Sequence, residues 1–228
     1  MTALDKRNER IQGMFTDIAG HYNLLNRLMT LGQDTRWRRE VIRRAELAPG
    51  ARLLDLGSGT GNLAREAMRQ YPDCQVTAAD YTLGMMQAGS KRGRLNWSAA
   101  DALQLPFLEA QFDAVVSGFL MRNVMDVPQA LSEQFRALKE GGRIVILDTT
   151  HPRRNLLYPF IWLHLHLVIP TLGWLIAGQR SAYSYLPAST ETFLYAEQLA
   201  DAMQKTGFRN VGFQRRMLGT IAIHWGIK

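Results

Sequence analysis

Cysteine is nearly absent: Cys74 is the single one among 228 residues, which excludes an intramolecular disulfide and fits a reducing cytoplasm. Its place just before an apolar run reads as a buried or half-buried thiol rather than a nucleophile. The opening MTALDKRNERIQG is charged and lacks the apolar stretch of a secretory signal. Internal repeats and low-complexity tracts are missing as well, so the chain reads as one globular domain carrying an appendage or an insertion. Acidic residues are outnumbered, 20 Asp and Glu against 27 Lys and Arg, and the net charge is +7. Much of that excess falls at Arg36, Arg38, Arg39, Arg43 and Arg44, on one predicted helix. These arginines are not interleaved with aromatics as a single-strand groove requires, so nucleic acid is not the expected partner. An anionic membrane face would suit the same charge.

Charge is missing altogether from LLYPFIWLHLHLVIPTLGWLIAG, residues 156–178. About 20 clean apolar residues span a bilayer. Pro159, Pro170 and Gly173 interrupt this run, however, and His164 and His166 would lie at membrane depth. A single crossing would also leave the two halves of the predicted sheet on opposite sides of the membrane. The spacing therefore predicts two shorter helices forming an apolar lid.

What is present is alternation. Helical spacing links Met14, Phe15, Ile18, Tyr22, Leu25, Leu28 and Met29; Gly32 ends it, and a second helix follows through Trp37, Val41 and Ile42. From residue 52 short apolar runs appear at 52–56, 75–80, 95–99, 112–117 and 143–149, with amphipathic stretches near 62–70, 83–92 and 127–139. Mostly unbroken apolar strands alternating with helices predict a parallel sheet covered on both faces. After the apolar insert come a helix near 195–206 and two runs, 210–217 and 220–227, separated by Leu-Gly. That pair suits an antiparallel hairpin. The predicted fold is α/β: a doubly wound, seven-stranded, mostly parallel sheet with a C-terminal antiparallel hairpin. Residues 1–50 are expected as a helical cap and 51–228 as the main domain, with the insert at 152–190.

The first strand runs into Asp55-Leu56-Gly57-Ser58-Gly59-Thr60-Gly61 and then opens a helix. Glycines at a strand-to-helix turn let backbone approach a ligand closely. Asp80 ends the second strand, where a carboxylate can hold both hydroxyls of a ribose. Asp101 follows the third strand, with Ala102 beside it, placed for an adenine amino group. An adenosine with free ribose hydroxyls satisfies all three strand ends. The glycine spacing and the hairpin ending disfavour a dinucleotide dehydrogenase.

These features resemble the seven-stranded S-adenosylmethionine-dependent methyltransferases of class I. Within them, MFTDIAGHYNLLNRLMTLG (14–32), the RW at 36–37, FLMRNVMD (119–126), YSYLPAST (183–190) and the closing TIAIHWGIK (220–228) resemble the C-methyltransferases of ubiquinone and menaquinone biosynthesis. The resemblance covers nearly the whole chain from about residue 10. Two departures stand out: Tyr22-Asn23 where that family usually has Tyr-Asp, and Asp34-Thr35 where it commonly has His-Arg.

The resemblance implies methyl transfer from S-adenosylmethionine, without a metal, to a ring carbon of a demethylated isoprenoid quinol. Arg122 would hold the developing phenolate oxygen and Asn123 would orient a ring oxygen or a water. Asp148, ending the fifth strand, or His151 would accept the proton. Tyr22 would close the cap over the cofactor or touch the ring, and Ser117 would contact the cofactor. His224 reads as a core or hairpin residue. The apolar insert leaves the sheet beside this edge, flanked by Arg153, Arg154 and Arg180, which suggests a cytoplasmic enzyme resting peripherally on a membrane. The same surface could be core cover or a homodimer interface. Another lipophilic phenol or a sterol is an alternative acceptor, and a non-catalytic S-adenosylmethionine-binding protein an alternative class.

Overall fold

A computed structural model of the chain describes residues 3–153, 156, 158–177 and 180–228, with side chains from Ile11 onward except at 176, 177, 180–184 and 186. Three helices open it: α1 (Ala3–Ile18), α2 (Tyr22–Met29) and α3 (Asp34–Ala45). Five strands then alternate with three helices: β1 (Arg52–Leu56), α4 (Asn62–Gln70), β2 (Gln75–Asp80), α5 (Leu83–Ser90), β3 (Asn96–Ala99), β4 (Phe112–Gly118), α6 (Val127–Ala137) and β5 (Leu138–Thr149). The insert supplies α7 (Tyr158–Leu163), a π-helical segment (His164–Val168), α8 (Ile169–Ala177) and α9 (Arg180–Thr192). α10 (Ala196–Thr206), β6 (Arg209–Arg216) and β7 (Ile221–Ile227) complete the chain.

The strands form one sheet in the order β3-β2-β1-β4-β5-β7-β6. β1 to β5 pair in parallel, and β7 runs antiparallel to both β5 and β6. This is the doubly wound sheet and closing hairpin that the alternation predicts. Adjacent apolar residues serve opposite faces: Leu53 joins the cluster with α3 and α4, whereas Leu54 joins the one with α6 and α10. Burying each such leucine stabilises the fold by roughly 1.5–3 kcal/mol, so a strand buried on both sides needs an unbroken apolar run. The order of strand addition reverses between β1 and β4, opening a crevice at the carboxyl ends of those strands.

The expected N-terminal cap divides by packing. α3 lies on the sheet through Trp37, Val41, Ile42 and Ala45. α1 and α2 instead meet the insert, where Ile18, Leu25 and Met29 pack with Ile161, Leu165 and Ile169 into a separate cluster. That cluster roofs the crevice.

The insert is helical without a break from 158 to 177 rather than two separate shorter helices. Proline lacks an N–H and its ring crowds the carbonyl four residues back, here His166. The widened π segment spans that position, with Ile169 N–H donating to His164 O. Among the described residues no helix is long and apolar enough to cross a membrane.

Candidate active site

Glycine shapes the turn after β1. Gly57 has φ +66°, and a Cβ there would stand 2.8 Å from Leu120 Cδ1. A side chain would therefore be strained and would push on the loop after β4. The carboxylate of Asp55, buried beneath this turn, accepts from Ser58 Oγ at 2.6 Å and Ala64 N at 2.9 Å. Asp55 thus ties the turn to the start of α4. Burial pushes its pKa up to about 6, against the opposing Ser58 and Ala64 bonds and the Arg38 charge.

Asp80 holds the turn from the other side. Its Oδ2 accepts from Gly59 N at 2.7 Å and its Oδ1 from Thr82 N at 2.7 Å. Burial raises its pKa, opposed by those backbone donors.

Two chambers open over the turn. The larger, about 880 Å³ including its mouth, is bounded by Gly57, Gly59, Asp80, Asp101 and Ala102 on one side. Phe119, Leu120, Asn123 and Met125 bound it from the β4 edge, and Phe15 and Tyr22 from the roof. The smaller, about 350 Å³, shares Tyr22, Gly57, Gly59, Gly118 and Phe119 with it and continues to Arg38, Asp55, Ser58 and Asn62. Phe119, at the junction, has φ +63°, an unusual conformation for a side chain of its size.

The remaining predicted residues stand behind these walls. The buried Thr60 hydroxyl donates to Asn23, and Gly61 caps α4 with φ +80°. Ser117 is fully buried, its hydroxyl unpaired. Arg122 and Asp148 form a buried ion pair: Nη1 donates to Oδ1 at 2.9 Å, and the Arg122 backbone N–H donates to Oδ2 at 3.2 Å. Thr149 N adds a third donor to Asp148 at 2.7 Å. Burial raises the Asp148 pKa while Arg122 and these amides oppose it. Arg122 Nε is unpaired, and the guanidinium lies 5.2 Å from the Phe119 ring centre.

His151 is turned away from the chambers. Its Nδ1 lies 2.5 Å from Glu191 O, and its ring rests on Tyr195. Three other residues contribute. Asn23 accepts from Thr60 and Asn62, Arg38 reaches the smaller chamber, and Tyr185 of α9 donates to Asn123 Oδ1 at 3.1 Å.

On the insert, Phe160, Trp162, Leu163, Leu167, Trp174 and Leu175 are exposed, as are Leu24, Leu28 and Leu31 of α2 and the turn that follows it. The two histidines are satisfied: His164 Nε2 meets Met29 O at 3.1 Å, and His166 pairs with Glu191 at 2.8 Å. Of the flanking arginines, Arg153 pairs with Glu197. Arg154 lies outside the described residues, as does the side chain of Arg180. Among the described residues no cluster of His, Cys, Asp or Glu could hold a metal ion.

A sheet of this order, with a glycine turn after β1 and acids closing β1 and β2 at the crevice, defines a class I S-adenosylmethionine-dependent methyltransferase. Solved structures agree on the fold: an S-adenosylmethionine-dependent methyltransferase of Thermotoga maritima, described as a possible histamine N-methyltransferase, superposes with a TM-score of 0.64 at 19% identity, covering 95% of this chain and 99% of that one. The chain belongs to the ubiE/COQ5 methyltransferase family, which matches residues 3–228. It is 46% identical to the ubiquinone/menaquinone biosynthesis C-methyltransferase UbiE of Desulfotalea psychrophila, over 96% of this chain and 90% of that protein. It is 36% identical to the demethylmenaquinone methyltransferase of Roseiflexus castenholzii, over 98% and 95% respectively.

Proposed function

We propose that this protein transfers the methyl group of S-adenosylmethionine to a ring carbon of a demethylated isoprenoid quinol. The donor supplies a sulfonium methyl that is already electrophilic. The chain's task is then to make a phenolic ring carbon nucleophilic and to hold it in line. The observation that carries this reading is the buried Arg122–Asp148 pair beside Asn123, behind the Phe119 wall shared by both chambers. A cation preorganised in a dry site lowers the cost of charge developing on a ring oxygen. Asn123 reaches the larger chamber with its carboxamide fixed by Tyr185 and by its own bond to Phe119 O at 2.9 Å. Asp148, fully buried and accepting three donors, acts by holding Arg122 and not as the base.

The exposed aromatics and leucines of the insert, with those of α2, suit a lipid surface on which the quinol tail remains while its ring enters. An apolar patch beside the catalytic edge serves that exchange. Incubation with labelled S-adenosylmethionine and demethylated naphthoquinol or benzoquinol, followed by mass analysis of the lipid, tests the acceptor. A ring-methylated product is expected. Methylation of sterol or tocopherol-type phenols alone, or donor binding with no product, would overturn the quinol assignment.

A further inference from the structure

Arg122 borders neither chamber, although its neighbours Leu120 and Asn123 both border the larger one. Its side chain is 6% exposed, and Asp148 engages one of its five N–H donors, at 2.9 Å. An aromatic ring covers the rest. The guanidinium lies over Phe119, 5.2 Å from the ring centre, and Phe119 borders both chambers. A phenolic oxygen in either chamber is thus kept from the guanidinium for as long as that ring stays.

The same residue is held in an unfavoured backbone conformation. Its φ of +63° is an outlier for a bulky side chain, and such a residue persists only where its surroundings over-determine it. Here the hold comes from both sides. Phe119 N–H donates to Leu147 O at 2.7 Å, and Phe119 O accepts from Asn123 Nδ2 at 2.9 Å. Asn123 also borders the larger chamber, so one side chain both latches Phe119 and meets a guest. A planar phenol laid on Arg122 would restore the cation–ring contact that Phe119 gives up. It would add a charge-assisted hydrogen bond from the guanidinium, which a hydrocarbon ring cannot make.

We propose that the acceptor ring binds where the Phe119 ring now lies, against the Arg122 guanidinium, and that Phe119 swings aside to admit it. Until a phenol arrives, the cation stays paired with Asp148 and shielded from water while the larger chamber stands open. A turn of φ towards negative values moves the ring and releases the strain together. This rests on Arg122 serving the developing ring oxygen, and it goes further in making Phe119 a moving cover rather than a fixed wall.

Phenylglyoxal labelling of the full-length protein with S-adenosylmethionine bound, read by peptide mass analysis, tests the cover, with the exposed Arg36 and Arg43 as internal standards. In the intact protein Arg122 should label far more slowly than either. Glycine adopts a positive φ without strain, so Phe119→Gly should speed labelling of Arg122 several-fold and leave Arg36 and Arg43 at their rates. Its KM for the demethylated quinol should fall roughly 2- to 30-fold, the strength of a cation–ring contact that no longer has to be given up. Phe119→Asn, whose short side chain also tolerates this region, should behave alike and carries the test if the glycine variant does not fold. Labelling of Arg122 as fast as Arg36 in the intact protein would overturn the proposal, as would unchanged labelling in the variants. Faster labelling with a raised KM would also overturn it, since a fixed wall that positions the acceptor behaves so. The labelling uses no acceptor, so a failed quinol assay beside faster labelling strikes the quinol assignment and leaves Phe119 as the cover of Arg122.

Discussion

Asn23 and Thr60 meet across 37 positions of sequence: the Thr60 hydroxyl donates to the Asn23 carboxamide oxygen at 2.9 Å. Asn62 Nδ2 donates to the same oxygen at 2.6 Å. The roof helix α2 is therefore latched to the glycine turn by an acceptor, and the amide nitrogen of Asn23 takes no part in either bond. Asn23→Asp keeps the acceptor and should leave the KM for S-adenosylmethionine within about twofold. Asn23→Leu removes it and should raise that KM roughly 5- to 50-fold, from one or two lost hydrogen bonds, with a smaller change in kcat. Steady-state kinetics with varied donor reads both.

Removing the partner of a buried cation is expensive. Asp148→Ala leaves Arg122 uncompensated behind Phe119 and should destabilise the fold by about 3–5 kcal/mol, as for other broken buried pairs. Denaturant unfolding measures this. Asp148→Asn keeps the shape and should lower kcat while the form of the pH–rate profile persists, because the role assigned to Asp148 is to hold Arg122. Loss of a limb from that profile would return Asp148 to the role of base.

His224 titrates against the fold. It is almost wholly buried, its Nε2 lies 2.9 Å from Ala196 O, and burial lowers its pKa from the ordinary 6.5 to about 4. Between those values the unfolded chain takes up a proton that the folded chain refuses. Stability from this residue is thus complete above pH 6.5 and is lost as pH falls towards 4, by roughly 3 kcal/mol in all. His224→Gln, which can still donate to Ala196 O, should remove this component. The difference between the two proteins in denaturant unfolding, followed from pH 7 to 4.5, isolates it from the buried acids that both share.

Leu28, Trp162 and Leu167 are exposed by 39%, 50% and 57%. Replacing all three by Ser should reduce flotation with liposomes several-fold and raise the KM for a long-tailed quinol, while donor affinity in solution is unchanged. Undiminished flotation would remove the lipid surface from the functional reading.

Sequence pattern carries the sheet well and the site less completely. β1, β2 and α4 begin and end where their apolar runs and glycines do, because a strand buried on both faces leaves no choice of residue. The glycine turn and Asp80 are legible for the same reason: backbone geometry at a strand end demands them. Arg38 is hidden among neighbouring arginines that read as one solvated face, although its step of four from Asp34 places it on the inner stripe. Asn23 and Tyr185 are invisible in another way. Their partners lie 37 and 62 positions distant, and no local pattern records which side chains a fold brings together. The insert departs from its expected form at Pro170, since a π segment accommodates a proline that an α-helix would not.

The roof over the crevice has its own hydrophobic cluster, apart from the two that line the sheet. It is assembled from α1 and α2 at one end of the sequence and the insert near the other. Warming should therefore lift the roof before the strands separate. Turnover should fade at temperatures where far-ultraviolet circular dichroism still reports an intact sheet, and cooling should restore it without refolding of the whole chain. Heat would then switch the enzyme off reversibly, with its foundation undisturbed.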